Sequence, residues 1–126
     1  MQINESIENY LERILILQKK KGCARSIDIA HELRVSKPSV SHATKLLREN
    51  GYITMDIENR ILLSPSGREI AERMYERHEK LAHFLISLGV SEENAFADAC
   101  KMEHDISKES FDAICRHTED LLKLSK

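Results

Sequence analysis

Between residues 26 and 51 two short amphipathic segments are separated by only three residues, Arg34-Val35-Ser36. Each has its own start and stop signals, so they read as two helices joined by a tight turn, not as one long helix. Ser26 is placed to cap the first, which carries Ile27, Ile29, Ala30 and Leu33. Ser36-Lys37-Pro38 opens the second, with Ser36 as cap and Pro38 near the first helical position, where its missing N–H costs nothing. Val40, Ala43, Leu46 and Leu47 supply its apolar face, and Asn50-Gly51 ends it. Tyr52-Ile53-Thr54-Met55 and Arg60-Ile61-Leu62-Leu63 then flank the polar segment 56–59, the pattern of a two-stranded hairpin. Two helices across a tight turn with a hairpin behind them read as a winged helix-turn-helix.

Upstream, residues 5–20 read as an amphipathic helix with Ile7, Leu11, Ile14, Leu15 and Leu17 near helical spacing. The Lys19-Lys20-Lys21 run followed by Gly22 suits its C-terminus, where cations meet the negative end of the dipole. A helix-turn-helix puts its second helix into the major groove, with N-terminal residues at base edges. Those residues are Ser36, Lys37, Pro38, Ser39, Ser41 and His42. Pro38 and the serines suit thymine methyls, and His42 can donate or accept at a base edge. Lys37, Lys45, Arg48 and Arg60 suit phosphates, which position a protein without reading sequence. The bland alternative is a helix pair packed on a third helix, with a solvated polar face.

Charge supports a division of labour. Residues 1–75 carry 12 Lys/Arg against 10 Asp/Glu, and residues 76–126 carry 7 against 11. No stretch approaches the roughly 18 apolar residues of a membrane span, and the N-terminus lacks a signal-peptide pattern. Cys23, Cys100 and Cys115 are an odd count at unrelated spacings, which suits a reducing compartment better than a disulfide framework. A cytoplasmic protein without a membrane partner is the expectation.

After Ser64-Pro65-Ser66-Gly67 a long helix is expected over about 66–88, with a stripe of Ile70, Met74, His78, Leu81, Leu85 and Leu88. Ser91 caps a helix over 91–104 that carries Phe96, Ala99, Cys100, Glu103 and His104 on one face. Ser107 caps a last helix striped by Phe111, Ile114, Cys115, Thr118, Leu121 and Leu122. In Cys100-Lys-Met-Glu103-His104 a thiolate, a carboxylate and an imidazole share one face within about a turn. Donors of that kind hold divalent transition metals. A carboxylate on an apolar stripe is costly unless paired or bound to a cation. Neither zinc-finger spacing nor a His-Glu-x-x-His motif is present, so the site would be assembled from separate segments.

The chain resembles the metal-dependent transcriptional repressors typified by the diphtheria toxin repressor and the manganese transport regulator. The likeness rests on Asn9-Tyr-Leu-Glu12, Arg25 through Gly51, Ser66-Gly67-Arg68, Arg77-His78-Glu79 and Ala99-Cys100-Lys-Met-Glu103-His104-Asp-Ile-Ser107. It implies a mainly α fold, with a winged helix-turn-helix over 1–65 and a helical metal-binding and dimerisation domain over 66–126. It also implies a homodimer on double-stranded DNA with a pseudo-palindromic operator, repressing metal-uptake genes. Carried over by position, Cys100, Glu103, His104, His78 and Glu12 match metal ligands, and Arg25 opens the matched reader. Asn9 stands where the manganese branch has Asp and the iron branch Met. Phe96 stands where the iron branch has a second histidine.

Cys100 favours Fe(II), Co(II), Ni(II) or Zn(II) over hard Mn(II), while the carboxylates and Asn9 pull the other way. The expected cation is Fe(II), then Mn(II), with Zn(II), Co(II) or Ni(II) able to occupy the site in vitro. The short form, without the Src-homology-3-like C-terminal domain, is the expectation for this length. Two other classes stay open: a regulator that senses oxidation at Cys100, whose thiol His104 and Lys101 would activate, and a metalloenzyme. The second lacks a visible general base, so a non-enzyme is expected.

Overall fold

The computed structural model describes residues 5–103 and 105–124. Its elements in order are α1 (Glu5–Lys21), α2 (Ser26–Leu33), α3 (Lys37–Glu49), β1 (Ile53–Met55), β2 (Ile61–Leu63), α4 (Pro65–Ser87), α5 (Glu92–Met102) and α6 (Lys108–Leu124). The chain forms two compact units, residues 1–74 and 75–126. The architecture is the expected mainly α one: a winged helix-turn-helix followed by a helical unit.

In the first unit α1, α2 and α3 pack on one another, with β2 against α1 and β1 against α3. Leu11, Ile14, Leu17, Ile29, Val40, Leu47, Ile53 and Ile61 fill this core and are almost fully buried. Gly22 ends α1 with φ +82°, where a side chain would be strained, and its N–H reaches the Gln18 carbonyl at 2.9 Å. The α2–α3 turn passes through Arg34 in the left-handed region, φ 55°. Ser36 caps α3 as its sequence suggests, its Oγ accepting from Ser39 N–H at 3.2 Å. We expect Ser36→Ala to lower stability by about 1 kcal/mol, as cap removal usually does, measurable as a reduced urea midpoint.

Four local expectations are corrected. Ser26 is the first helical residue of α2, not its cap; Arg25 takes that place in extended conformation, without a side-chain capping bond. Ile27 (60 % exposed) and Leu46 (37 %) face outward, and buried Thr44 takes the place in the core assigned to Leu46. Thr44 tolerates this because its hydroxyl donates to the Ser41 carbonyl at 3.1 Å. Leu88 lies beyond the end of α4 and is 62 % exposed.

The wing is shorter than its apolar runs: β1 and β2 pair antiparallel over three residues each, with Thr54 opposite Leu62. Ser64 joins it to α4. Its hydroxyl donates to the Gly51 carbonyl at 2.6 Å and accepts from Gly67 N–H at 3.2 Å, so one residue ties the end of α3 to the start of α4.

The second unit is built on Leu81, Ala82, Ala95 and Ala99, packed by Leu85, Val90, Phe96, Met102, Ile106, Phe111 and Ile114. Alanines at the centre let α4 and α5 approach closely, with larger side chains around them. Ser91 caps α5 (Asn94 N–H to Oγ, 3.4 Å) and Ser107 caps α6 (Ser110 N–H to Oγ, 3.0 Å), both as expected. The α5 helix ends at Met102, two residues short of the expected limit. Glu103 is its C-cap, still in helical conformation (φ −59°, ψ −26°), so the i, i+3 relation to Cys100 survives. The side chains of Leu121 and Leu122 lie outside those described, and His104 lies outside the described residues.

Candidate nucleic-acid interface and candidate metal centre

In the first unit Lys37, Pro38, Ser39, Ser41, His42, Lys45 and Arg48 are all exposed on α3, opposite buried Val40, Thr44 and Leu47. Spacing of three and four residues therefore puts one polar stripe outward along the helix. Ser36 and Ser39 are tied to each other by the cap, Oγ to Oγ at 2.8 Å, which leaves Ser41 and His42 as the adaptable polar groups of the first two turns. Arg25 is exposed ahead of α2. Arg48 reaches Met55 Sδ at 3.4 Å, linking α3 to the wing.

Arg60 sits differently from the cations of α3. Its Nε donates to Asp56 Oδ2 at 2.7 Å, and Nη2 lies 3.5 Å from Glu58 Oε2. Asp56 in turn accepts from the Arg60 and Glu58 backbone N–H groups, each at 2.9 Å. The Arg60 backbone N–H first, then its guanidinium, holds the Asp56 carboxyl below the usual carboxylate range despite partial desolvation. Beyond this knot, Ile57 stands 98 % exposed at the tip.

In the second unit the fold brings His78, Cys100 and Glu103 together. One ligand atom from each lies within 4.8 Å of the others. Glu103 is 1 % exposed, and its Oε2 is 3.9 Å from His78 Nδ1. His78 Nε2 lies 3.0 Å from the Phe96 carbonyl on α5. The Phe96 ring packs beside His78, centroids 5.7 Å apart, and His83 meets the same ring edge-on at 6.4 Å. Arg77 is turned away, its guanidinium 4.8 Å from the centroid of Phe111. On α1, in the first unit, Glu12 is buried at 2 % exposure and Asn9 is half-buried.

A nitrogen, a sulfur and a carboxylate oxygen at this separation fit a divalent transition metal by donor chemistry. Burial of Glu103 adds to the fit, because a cation offsets the cost of desolvating a carboxylate. Cys23 and Cys115 are half-buried free thiols, and burial pushes the Cys115 thiol up. Sequence reading missed Thr44, Ser64 and the Phe96 carbonyl. Ser64 carries the usual residue type of a cap; a backbone carbonyl carries no residue-type signal at all.

An exposed polar helix in a winged reader, followed by a helical unit with a sulfur, nitrogen and oxygen cluster around a buried carboxylate, defines a metal-responsive DNA-binding regulator. Residues 2–58 match the N-terminal DNA-binding domain of iron-dependent repressors, and residues 64–123 match their metal-binding and dimerisation domain. The HTH-type transcriptional regulator MntR of Geobacillus kaustophilus is 40 % identical over 109 residues, 86 % of this chain and 77 % of the relative. The crystal structure of T. acidophilum IdeR superposes with a TM-score of 0.80 at 26 % identity, covering 94 % of this chain and 55 % of that one. A manganese-dependent transcriptional repressor solved in complex with manganese gives 0.77 at 26 % identity, covering 86 % and 50 %. The chain thus spans about half the length of these two solved relatives.

The chain belongs to the iron-dependent repressor family. It is a metal-responsive, DNA-binding transcriptional repressor with a dimerisation domain, and not an enzyme. Among the described residues no helix is long and apolar enough to cross a membrane.

Proposed function

We propose that this repressor senses Fe(II) or Mn(II) through Glu12, His78, Cys100, Glu103 and His104, with Asn9 as a neutral oxygen donor, and controls metal-uptake genes from the cytoplasm. The convergence of His78, Cys100 and Glu103 around a buried carboxylate carries the reading. The Cys100 thiolate ranks Fe(II) ahead of Mn(II), and the manganese-bound relative supports Mn(II) as the close second. When bound, the cation supplies the positive charge that lets several acidic groups share one site. Glu12 and Asn9 belong to α1, which packs on the reader helices, whereas His78, Cys100, Glu103 and His104 belong to the helical body. Ligation shared between the two would favour one orientation of the reader, and that difference in affinity is the physical term repression needs.

We place the functional boundary at 65/66, just after the wing; the first matched segment, 2–58, ends before it and the second, 64–123, begins beside it. On DNA, Ser41 and His42 read base edges from the start of α3, with Ser36, Lys37, Pro38 and Ser39 at the same end. Lys45, Arg48 and Arg25 serve phosphates; Arg60 reaches the backbone from a wing it also braces. Two readers in a homodimer, about 34 Å or a multiple apart, select a pseudo-palindromic operator.

The direct test is a DNA titration on the promoters of its own gene and of neighbouring transport genes, in chelator and then with anaerobic Fe(II), Mn(II) and Zn(II). Binding that needs metal is the expected result, and the order of metals decides the cation. Equal binding in chelator would sink metal sensing and send attention to peroxide and Cys100. Lys45→Ala should weaken all sequences alike and reduce the salt slope by about 1, whereas His42→Ala should relax preference at one position by about 1–3 kcal/mol. Equal effects of both on every sequence would remove His42 from base reading.

A further inference from the structure

His78 has two ring nitrogens facing two different partners. Nε2 lies 3.0 Å from the Phe96 carbonyl, and Nδ1 lies 3.9 Å from the Glu103 carboxylate. A carbonyl accepts and never donates, so the first contact requires a proton on Nε2. In the neutral ring that leaves Nδ1 as the lone-pair atom. We infer that the Phe96 backbone carbonyl is a positioning group: it holds His78 as the Nε2–H tautomer and presents Nδ1 to the Glu103 carboxylate before any cation arrives. The inference rests on the metal-sensing reading for its purpose, though not for its geometry.

The position of the carbonyl explains why it can do this reliably. Phe96 lies within α5, four residues before Cys100, so the same oxygen faces the Cys100 N–H in the helical ladder. A carbonyl has two lone pairs and can take both bonds. One atom thus sets the orientation of the His78 ring and the backbone position of Cys100. The ring of Phe96 packs against His78 from the same residue, restricting rotation of the imidazole. Groups that orient a ligating histidine through its second nitrogen commonly contribute 10–100-fold to metal affinity.

The test begins with nitrogen-15 NMR of the metal-free protein at a pH where the imidazoles are neutral. Isolated imidazole already leans toward Nε2–H, so the decisive readout is exchange of that proton with solvent. We expect a His78 Hε2 resonance exchanging at least tenfold more slowly than those of His31 and His42, which are exposed. An Nδ1–H tautomer, or exchange as fast as in those two, overturns the inference. Phe96→Leu keeps the carbonyl and removes the ring; the tautomer and protection should persist, and their loss would assign the effect to ring packing instead.

A second arm uses Co(II), followed by its thiolate absorption. Nδ1-methylhistidine at position 78 should abolish the His78 contribution, and Nε2-methylhistidine should weaken binding about 10–100-fold. Failure of the unsubstituted protein to bind Co(II) would count against the sensing reading alone. Native affinity in the Nδ1-methyl protein would refute the inference while leaving that reading intact.

Discussion

Glu103→Gln is expected to abolish the metal response while leaving the metal-free protein at least as stable as the native one. The carboxylate is 1 % exposed at the end of α5, beside His78 and Cys100. Burying a charge is expensive, and its neighbours in the fold recover only part of that cost. A protein that keeps such a group in its interior carries a local liability that a bound cation removes. Gln preserves the size of the side chain and deletes the charge, so the liability disappears together with the ligand. Groups one shell further out are typically worth 10–100-fold in metal affinity, so loss of a ligand itself should cost more than about 100-fold. The readouts are metal-dependent operator binding and the urea midpoint in chelator. A lower midpoint with an intact metal response would show that Glu103 is a structural residue and that the sensing site lies elsewhere.

The two halves of this chain were not equally legible. The reader announces itself locally: Ser36, Pro38 and Asn50-Gly51 act within a few residues of themselves, and the structure places each where its chemistry suggests. Ser26 misled because a serine before an apolar run is a cap signal, yet the extended backbone at Arg25 begins the helix one residue earlier. Which face of α3 is buried was also only partly readable. Thr44 and Leu46 compete for the interior, and tertiary packing chose the threonine because its hydroxyl is satisfied within the helix.

The donor cluster was visible for a different reason. Cys100 and Glu103 share a face by helical spacing, so half of the cluster is local arithmetic. His78 stands on another helix, and its approach to them depends on how closely α4 and α5 pack. That closeness comes from Ala82, Ala95 and Ala99, small residues whose meaning emerges only once the helices are paired. The wing showed the opposite limitation. Arg60 reads as a free cation in sequence, but its neighbours Asp56 and Glu58 fold back onto it, and no periodicity encodes that turn.

Gly67→Ala should be the most damaging small substitution in the reader. Gly67 is buried in the first turn of α4, and a Cβ there would overlap the backbone carbonyl of Tyr52. That carbonyl cannot easily move, because it accepts from Ser64 N–H at 3.0 Å at the entrance to the wing. Nor can α4 slide away freely, since the Ser64 hydroxyl bonds both Gly67 N–H and the Gly51 carbonyl. Relief therefore requires shifting backbone against backbone, and overpacking of that kind costs typically 1–3 kcal/mol, here at the upper end. Helix propensity pulls the other way: Ala is favoured over Gly by up to about 1 kcal/mol inside a helix. The net expectation is a loss of about 2 kcal/mol, read as a lower urea midpoint. The sign is the sharp part, because an exposed helical glycine would give a gain. Gly22→Ala supplies the contrast: with φ +82° and open space around it, only backbone strain of about 1 kcal/mol is at stake. A Gly67→Ala protein as stable as the native one would mean that the start of α4 does not rest on the wing as closely as the structure places it.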